Sequence, residues 1–237
     1  MGLDMNIYKR KCVSDNWKVA HEKGEKVKRV FEETDMLYLR KANQIHNYFV
    51  EKYGGGEDNC REIDITIDDI KELKKLCEQI ISKTKLVDGY LDGGWGGTSF
   101  EPDDKIKMLV RKSKGYGYED GGEKTAKELK VGDLFVSSMT DTGANVVREI
   151  NVMDGGRISI HYGCEYVGKK MANSTLARDL LPTQAGFFFG STEYDEYYID
   201  DLKEYVRQAD EIIEDYECEI ANGVNEYDID YYYLASW

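Results

Sequence analysis

The chain has 237 residues, with 46 acidic and 32 basic side chains and a formal net charge of −14. Its aromatic fraction of 12% is typical of a folded chain and argues against disorder. No apolar run reaches the ~18 residues of a membrane span, no signal-peptide pattern opens the sequence, and the five cysteines lack Cys-x-x-Cys spacing. Together these features predict a reduced, cytoplasmic protein without a membrane segment.

The first predicted elements are two strands and a helix. Alternating apolar and polar residues over 3–10 predict a half-buried strand, and residues 27–31 predict a second short one. Apolar residues at three- and four-residue steps predict a helix over 36–53. Thr34 and Asp35 are its candidate N-caps.

A short strand and a second helix follow. Isoleucines at every second position predict the strand over 63–67. The helix is predicted over 68–83, with Thr66 and Asp69 in the spacing of a capping pair.

The middle of the chain has a different pattern. The glycine-rich residues 88–100 interrupt the pattern, and residues 92–98 within them predict a flexible hinge because they lack the Gly-Lys-Ser/Thr ending of a phosphate-binding loop. After them, strand patterns near 134–136, 146–152 and 158–162 are separated by turn signals. We therefore expect a small β-rich insert, of the size of an SH3-like domain, over residues 101–178.

The last quarter returns to helix and strand. A third helix is predicted over 195–221, with Ser191 or Thr192 available to cap it. Residues 229–234 predict a closing strand that pairs with the first strand.

The predicted fold class is α+β, with an antiparallel sheet and about three helices. The predicted core domain comprises residues 1–98 and 179–237, and residues 101–178 interrupt it as the inserted β domain.

Four separated segments carry a resemblance to a known group of proteins. They are MGLDM at 1–5, LRKANQIHNYFV at 39–50, LLPTQAGFFFGSTEYDEYY at 180–198 and YYYLASW at 231–237. In this order they resemble a family of small proteins carried by bacteriophages and prophages. The resemblance implies a phage association, action in the host cytoplasm and a shared α+β core, and it assigns no catalytic residue. In that family the second helix leads almost directly into the LLPT segment. The insert in this chain therefore departs from the family's pattern.

One candidate ligand site lies on the first predicted helix. Arg40, Asn43, His46 and Asn47 give it a polar face that could bind a nucleotide-like small ligand, either to sequester or to hydrolyse it. The alternative is an ordinary histidine whose hydrogen bonds are satisfied within the protein, or a helix face that is merely solvated. No cluster of metal-ligand residues is present, so no metal or cofactor is predicted.

The start of the third helix supplies further ligand-binding candidates, Ser191, Tyr194 and Asp195. Free backbone N–H groups at a helix start favour an anion, although the acids there already complement the helix dipole. The alternative is simple helix capping. An acid–base pair would require His46 to meet Glu193 or Asp195 in space.

The whole net charge lies in residues 179–237, which hold sixteen acidic and two basic side chains. This quarter is also rich in tyrosine, a residue suited to interfaces. Its negative field argues against direct nucleic-acid binding there and favours a host protein with a basic surface. The partner-surface candidates are Glu193, Glu196, Tyr197, Asp200, Asp201 and Glu204.

We therefore predict a non-enzymatic accessory protein that acts by binding. Two alternatives stay open beside the small-ligand site. In the first, the tyrosines pack against the sheet and the acids do no more than keep a helix solvated. In the second, the protein has a structural or assembly role in the virion.

Overall fold

The computed structural model describes residues 2–14, 30–136 and 143–237. The chain forms two compact units, each with its own antiparallel sheet. The first unit combines Met1–Thr84 with Asn173–Trp237, and the second is Lys85–Ala172. This confirms the α+β class predicted from the sequence. The second unit begins at Lys85, one strand earlier than residue 101, and ends six residues before 178.

The elements follow in chain order. They are β1 (Asp4–Ser14), β2 (Val30–Arg40), α1 (Asn43–Lys52), β3 (Ile63–Ile65), α2 (Ile67–Lys83), β4 (Leu86–Phe100), β5 (Lys105–Arg111), β6 (Tyr118–Thr125), β7 (Leu134–Val136), β8 (Gly143–Val152), β9 (Ile158–Met171), α3 (Thr175–Leu180), α4 (Glu196–Ala221) and β10 (Ile229–Ser236). Short 3-10 turns at Ala126–Glu128 and Glu226–Asp228 precede β7 and β10. Within the described residues, no helix has both the length and the apolar character needed to cross a membrane.

The sheet of the first unit has the strand order β2-β1-β10-β3, with every neighbouring pair antiparallel. The predicted pairing of the closing strand with the first strand is confirmed, and it runs from Asp4 opposite Ser236 to Lys11 opposite Ile229. On β1, Met5 and Ile7 are completely buried and alternate with partly exposed neighbours. That alternation directs one face of the sheet toward the hydrophobic core.

Helices α2 and α4 pack against each other, and α4 also contacts β2. The apolar residues at helical spacing supply the contact, since Leu73 and Ile80 of α2 and Leu202 of α4 are completely buried. Tyr205 of α4 is also buried, and its hydroxyl donates to the Ile70 carbonyl at 3.3 Å. The long apolar stripe of α4 therefore forms part of the core.

The predicted helix over 36–53 is wrong in its first part. Leu37 and Leu39 are buried while Tyr38 and Arg40 are exposed, which is the two-residue period of a strand. These residues belong to β2, and the left-handed φ of +62° at Lys41 separates that strand from α1.

The cap assignment changes with the helix boundary. Thr34 and Asp35 lie inside β2 and cap nothing, and Ala42 occupies the N-cap position of α1. The second predicted strand, over 27–31, is β2 from Val30 onward, and residues 27–29 lie outside the described part of the chain.

The sheet of the second unit has the order β4-β9-β8-β7-β5-β6. A cluster of buried apolar residues forms its core, comprising Ile106, Met108, Ala126, Leu129, Phe135, Val147, Ile158 and Ile160. The predicted hinge over 92–98 is wrong, because these residues lie in β4 and pair with β9. The glycines permit close packing, since a Cβ at Gly96 would lie 2.3 Å from the Tyr162 ring.

Replacement of Thr66 by alanine tests the start of α2. The Thr66 hydroxyl accepts from the Asp69 amide at 3.3 Å, and the Asp69 carboxylate accepts from the Thr66 amide at 2.8 Å. Removing this capping box should lower the free energy of unfolding by about 1 kcal/mol in urea denaturation. Thr34→Ala is the control and should change it by less than about 0.5 kcal/mol. Equal effects of the two substitutions would contradict the assignment of the cap.

Candidate functional site

The polar residues of α1 point into the protein rather than toward a ligand. Asn43 is buried, and its amide nitrogen donates to the carbonyls of Phe189 at 3.0 Å and Ser191 at 2.8 Å. Its side-chain oxygen accepts from the Gln184 amide at 3.0 Å. A single asparagine therefore connects the segment before α4 to α1, and both of its N–H donors are used within the protein.

His46 is also buried, with 1% of its surface exposed. Its Nδ1 lies 2.7 Å from the Tyr233 hydroxyl, and the Phe189 and Trp237 rings approach it edge-on. Its Nε2 lies 3.1 Å from a carboxylate oxygen of Asp58, outside the geometry of a hydrogen bond. Tyr233 and Asp58 lie outside the helix that carries His46, so no local sequence pattern indicates these two neighbours.

The space beside His46 is small. The cavity it lines measures about 10 Å³, which is room for about one water molecule. The carboxylate there is Asp58, so the acid–base pair considered with Glu193 or Asp195 does not form. The geometry does not favour a nucleotide-like ligand at this histidine.

Arg40 and Asn47 do not join this site. Arg40 lies on β2, exposed, with its Nε 3.6 Å from a carboxylate oxygen of Asp4. The amide of Asn47 donates to the Pro182 carbonyl at 3.3 Å. The four residues predicted to share one polar helix face therefore have four different structural environments.

The candidates before α4 build its N-terminus. Asp195 is the N-cap, and its carboxylate accepts from the Tyr198 amide at 3.0 Å, so capping by Ser191 or Thr192 was a wrong prediction. The Ser191 hydroxyl instead accepts from the Glu193 amide, and the Tyr194 hydroxyl accepts from the Thr183 amide. Burial raises the pKa of Asp195, which is 1% exposed.

Asp201 is half-buried and faces α1 rather than forming an exposed part of the predicted partner surface. It accepts from the Gln44 amide of α1 at 3.1 Å. Burial, aided by the charges of Asp195 and Asp200, raises the pKa of Asp201 from 3.8 to about 6. The hydrogen bond to Gln44 therefore links α4 to α1, but ionisation of the Asp201 carboxyl at this position is unfavourable.

The other partner-surface candidates lie at the N-terminal half of α4. Tyr197 and Asp200 are exposed, whereas Glu193 and Glu196 are half-buried. The Glu204 carboxylate accepts two hydrogen bonds from the Arg207 guanidinium, at 2.6 and 3.0 Å. Asp200 pairs with Lys203 at 2.9 Å. Lys203 and Arg207 therefore neutralise two of the partner-surface candidates, Asp200 and Glu204.

Other acids of α4 face the sheet and are paired as well. Lys9 of β1 is 6% exposed, and its ammonium lies 2.5 Å from Asp215. Lys11 lies 2.6 Å from Glu219. These pairs attach α4 to the strand beneath it.

The remaining acids concentrate after the middle of α4. No ion pair joins these residues to a cation in the described parts of the chain: Glu214, Glu217, Glu226, Asp228 and Asp230. All are exposed except Asp228, which is half-buried. We call these five residues the acidic end.

The acidic end includes positions where negative charge is unfavourable to the helix. The C-terminus of a helix carries a partial negative charge and favours cations, yet the last turn of α4 has no basic residue. Glu217 lies close to that terminus. Helix stability therefore does not explain the charge at this position.

Comparison with protein-family models, with curated protein sequences and with solved structures gives no match. Residues 2–14, 30–136 and 143–237 contain no group of three or more potential metal ligands close enough to hold an ion. The function must be inferred from the geometry and charge described above.

The substitution Asp201→Asn tests the buried carboxyl. Because its folded pKa lies above the ordinary 3.8, its contribution to stability is full below about pH 4 and is lost as pH rises through about 6. Asparagine can still accept from Gln44 without the charge. It should raise the free energy of unfolding at pH 7 by on the order of 1–3 kcal/mol and flatten its decline between pH 4 and 7.

The matched control is Glu214→Gln, at an exposed position of the same helix that does not contribute to the pKa shift of Asp201. Its effect should stay within about 0.5 kcal/mol. Denaturation at several pH values gives both profiles. An Asp201→Asn protein with the wild-type pH profile would show that the carboxyl does not titrate as described.

Proposed function

We propose that the protein is a phage-type accessory protein that binds a basic surface of a host protein through the acidic end. The observation that carries the proposal is the group of exposed carboxylates without cations around the C-terminal half of α4. The four-segment resemblance supports the phage association. The absence of a ligand-sized cavity at His46 favours binding over a small-molecule activity.

Charge compensation explains why this surface suits a partner. Several acids elsewhere on α4 are paired with Lys9, Lys11, Lys203 or Arg207, so the chain does supply cations to this helix. The acidic end receives none among the described residues, and repulsion among its carboxylates is relieved only by solvent and salt. A basic partner would relieve it further, which favours complex formation.

Electrostatic docking predicts how the interaction depends on salt. Exposed charges are screened over ~8 Å at physiological ionic strength. Complementary charge mainly increases the association rate and suppresses partners of the wrong sign. The complex should therefore form quickly at low salt and weaken steeply as salt is added.

The decisive variant carries Glu214→Lys, Glu217→Lys and Glu226→Lys together. It should recover at least about tenfold less of the host partner than wild type in quantitative affinity purification at low salt. Raising the salt should lower wild-type recovery and have little effect on the variant. Thermal unfolding should show an intact fold, because lysine near the end of α4 complements the helix dipole.

The control carries the same change of charge on the second unit, with Glu119→Lys, Glu149→Lys and Asp154→Lys. All three positions are exposed. This protein should recover the partner at the wild-type level. If both triple variants lost the partner equally, net charge rather than the acidic end would be responsible, and the proposal would be wrong.

A further inference from the structure

Three tyrosines surround a cavity beside the acidic end. Tyr216 of α4, Tyr227 of the 3-10 turn and Tyr231 of β10 line it together with Glu226 and Asp230. Its volume is about 220 Å³. Sites for drug-sized ligands usually measure about 300–1,000 Å³, so this one suits a single side chain or a small cation.

The lining has the chemistry of a cation site. The faces of aromatic rings attract ammonium groups, and several rings around one cavity are the usual arrangement for alkylammonium recognition. The carboxylates of Glu226 and Asp230 add negative charge, and neither has an ion pair in the described part of the chain. We propose that this cavity binds the ammonium group of a lysine side chain presented by the basic partner.

A buried hydroxyl provides independent support. Tyr231 is 3% exposed, and its hydroxyl has no hydrogen-bond partner, although buried polar groups are nearly always paired. Burial, with the nearby charge of Asp215, raises the pKa of this hydroxyl. The neutral oxygen keeps lone pairs that can accept a hydrogen bond from an ammonium N–H, which would occupy its acceptor side.

An anion is a poor alternative, even though the start of α2 lines the same cavity through Thr66 and Ile67. The amide of Thr66 already donates to the Asp69 carboxylate at 2.8 Å. The acidic side chains at the rim would also repel a phosphate. The capping box therefore removes the usual attraction of a helix N-terminus for anions.

The ring of Tyr216 already has a cation as a neighbour. The Lys71 ammonium lies 5.8 Å from its centroid, within the range of a cation–π contact. Lys71 is not among the residues that line the cavity. The contact shows that the Tyr216 ring attracts an ammonium in the folded protein.

A second cavity extends the site for the residues that flank the lysine. It shares Thr66, Asp230 and Tyr231 with the first and continues to Arg10 and Tyr232, with a volume of about 390 Å³. Glu33 and Glu62 already engage the Arg10 guanidinium at 2.8 and 2.9 Å. The combined groove could therefore hold a short basic segment of the partner.

The test uses a pentapeptide, acetyl-Gly-Gly-Lys-Gly-Gly-amide, titrated into the full chain and followed by NMR. The lysine peptide should shift resonances of Tyr216, Tyr227 and Tyr231, and its norleucine counterpart should not. Tyr227→Leu should weaken binding at least about fivefold, whereas Tyr227→Phe, which keeps the ring, should stay within about twofold of wild type. Tyr227 is 81% exposed, so neither change should affect folding.

The outcomes separate this inference from the proposed function, on which it depends only for the identity of the partner. Equal binding of the lysine and norleucine peptides, or wild-type affinity of Tyr227→Leu, would overturn the lysine site. If the charge-reversed triple variant still lost the host partner in that case, the proposed function would stand without it. Loss of peptide binding on Glu226→Gln with Asp230→Asn, together with a weaker salt dependence, would support the site.

Discussion

The pairing of the two chain ends is the constraint on which the first unit depends. Strand β10 lies between β1 and β3, so the last residues of the chain complete a sheet that the first residues begin. The register places Ile7 opposite Tyr233 and Lys9 opposite Tyr231. Tyr233 thereby reaches His46 on α1, and Lys9 reaches Asp215 on α4. Packing of both helices follows from this one strand pair.

The same pairing distributes the charge of α4. Lys9 and Lys11 neutralise Asp215 and Glu219 on the side facing the sheet. The exposed Glu214 and Glu217, and the carboxylates that follow the helix, have no such pairing among the described residues. The side of α4 that faces the sheet thus stabilises the fold, and the unpaired carboxylates form the proposed docking surface. The tyrosine-lined cavity lies where β10 begins, next to the uncompensated charge.

Local patterns in the sequence predicted the elements whose stabilising contacts are local. The capping box of α2, the stripe of α4 and the alternation of β1 each depend on residues that are near one another in the sequence. The end of β2 is predicted as helix because Leu39 continues the three-residue spacing of Ala42 and Ile45 at the start of α1. The His46–Tyr233 contact and the three-tyrosine cavity depend on residues far apart in the chain, so no local pattern indicates them. Tyrosine enrichment was a signal, but it did not distinguish the packed rings from the exposed ring of Tyr227.

Carboxyl footprinting of the complex tests the central claim most directly. Glycine ethyl ester labels exposed carboxylates, and mass spectrometry then measures the modification of each residue with and without the bound host partner. The account predicts that labelling of Glu214, Glu217 and Glu226 falls severalfold on binding, while exposed carboxylates of the second unit such as Asp154 are unchanged. Unchanged labelling of the acidic end, with protection elsewhere, would contradict a docking role for α4.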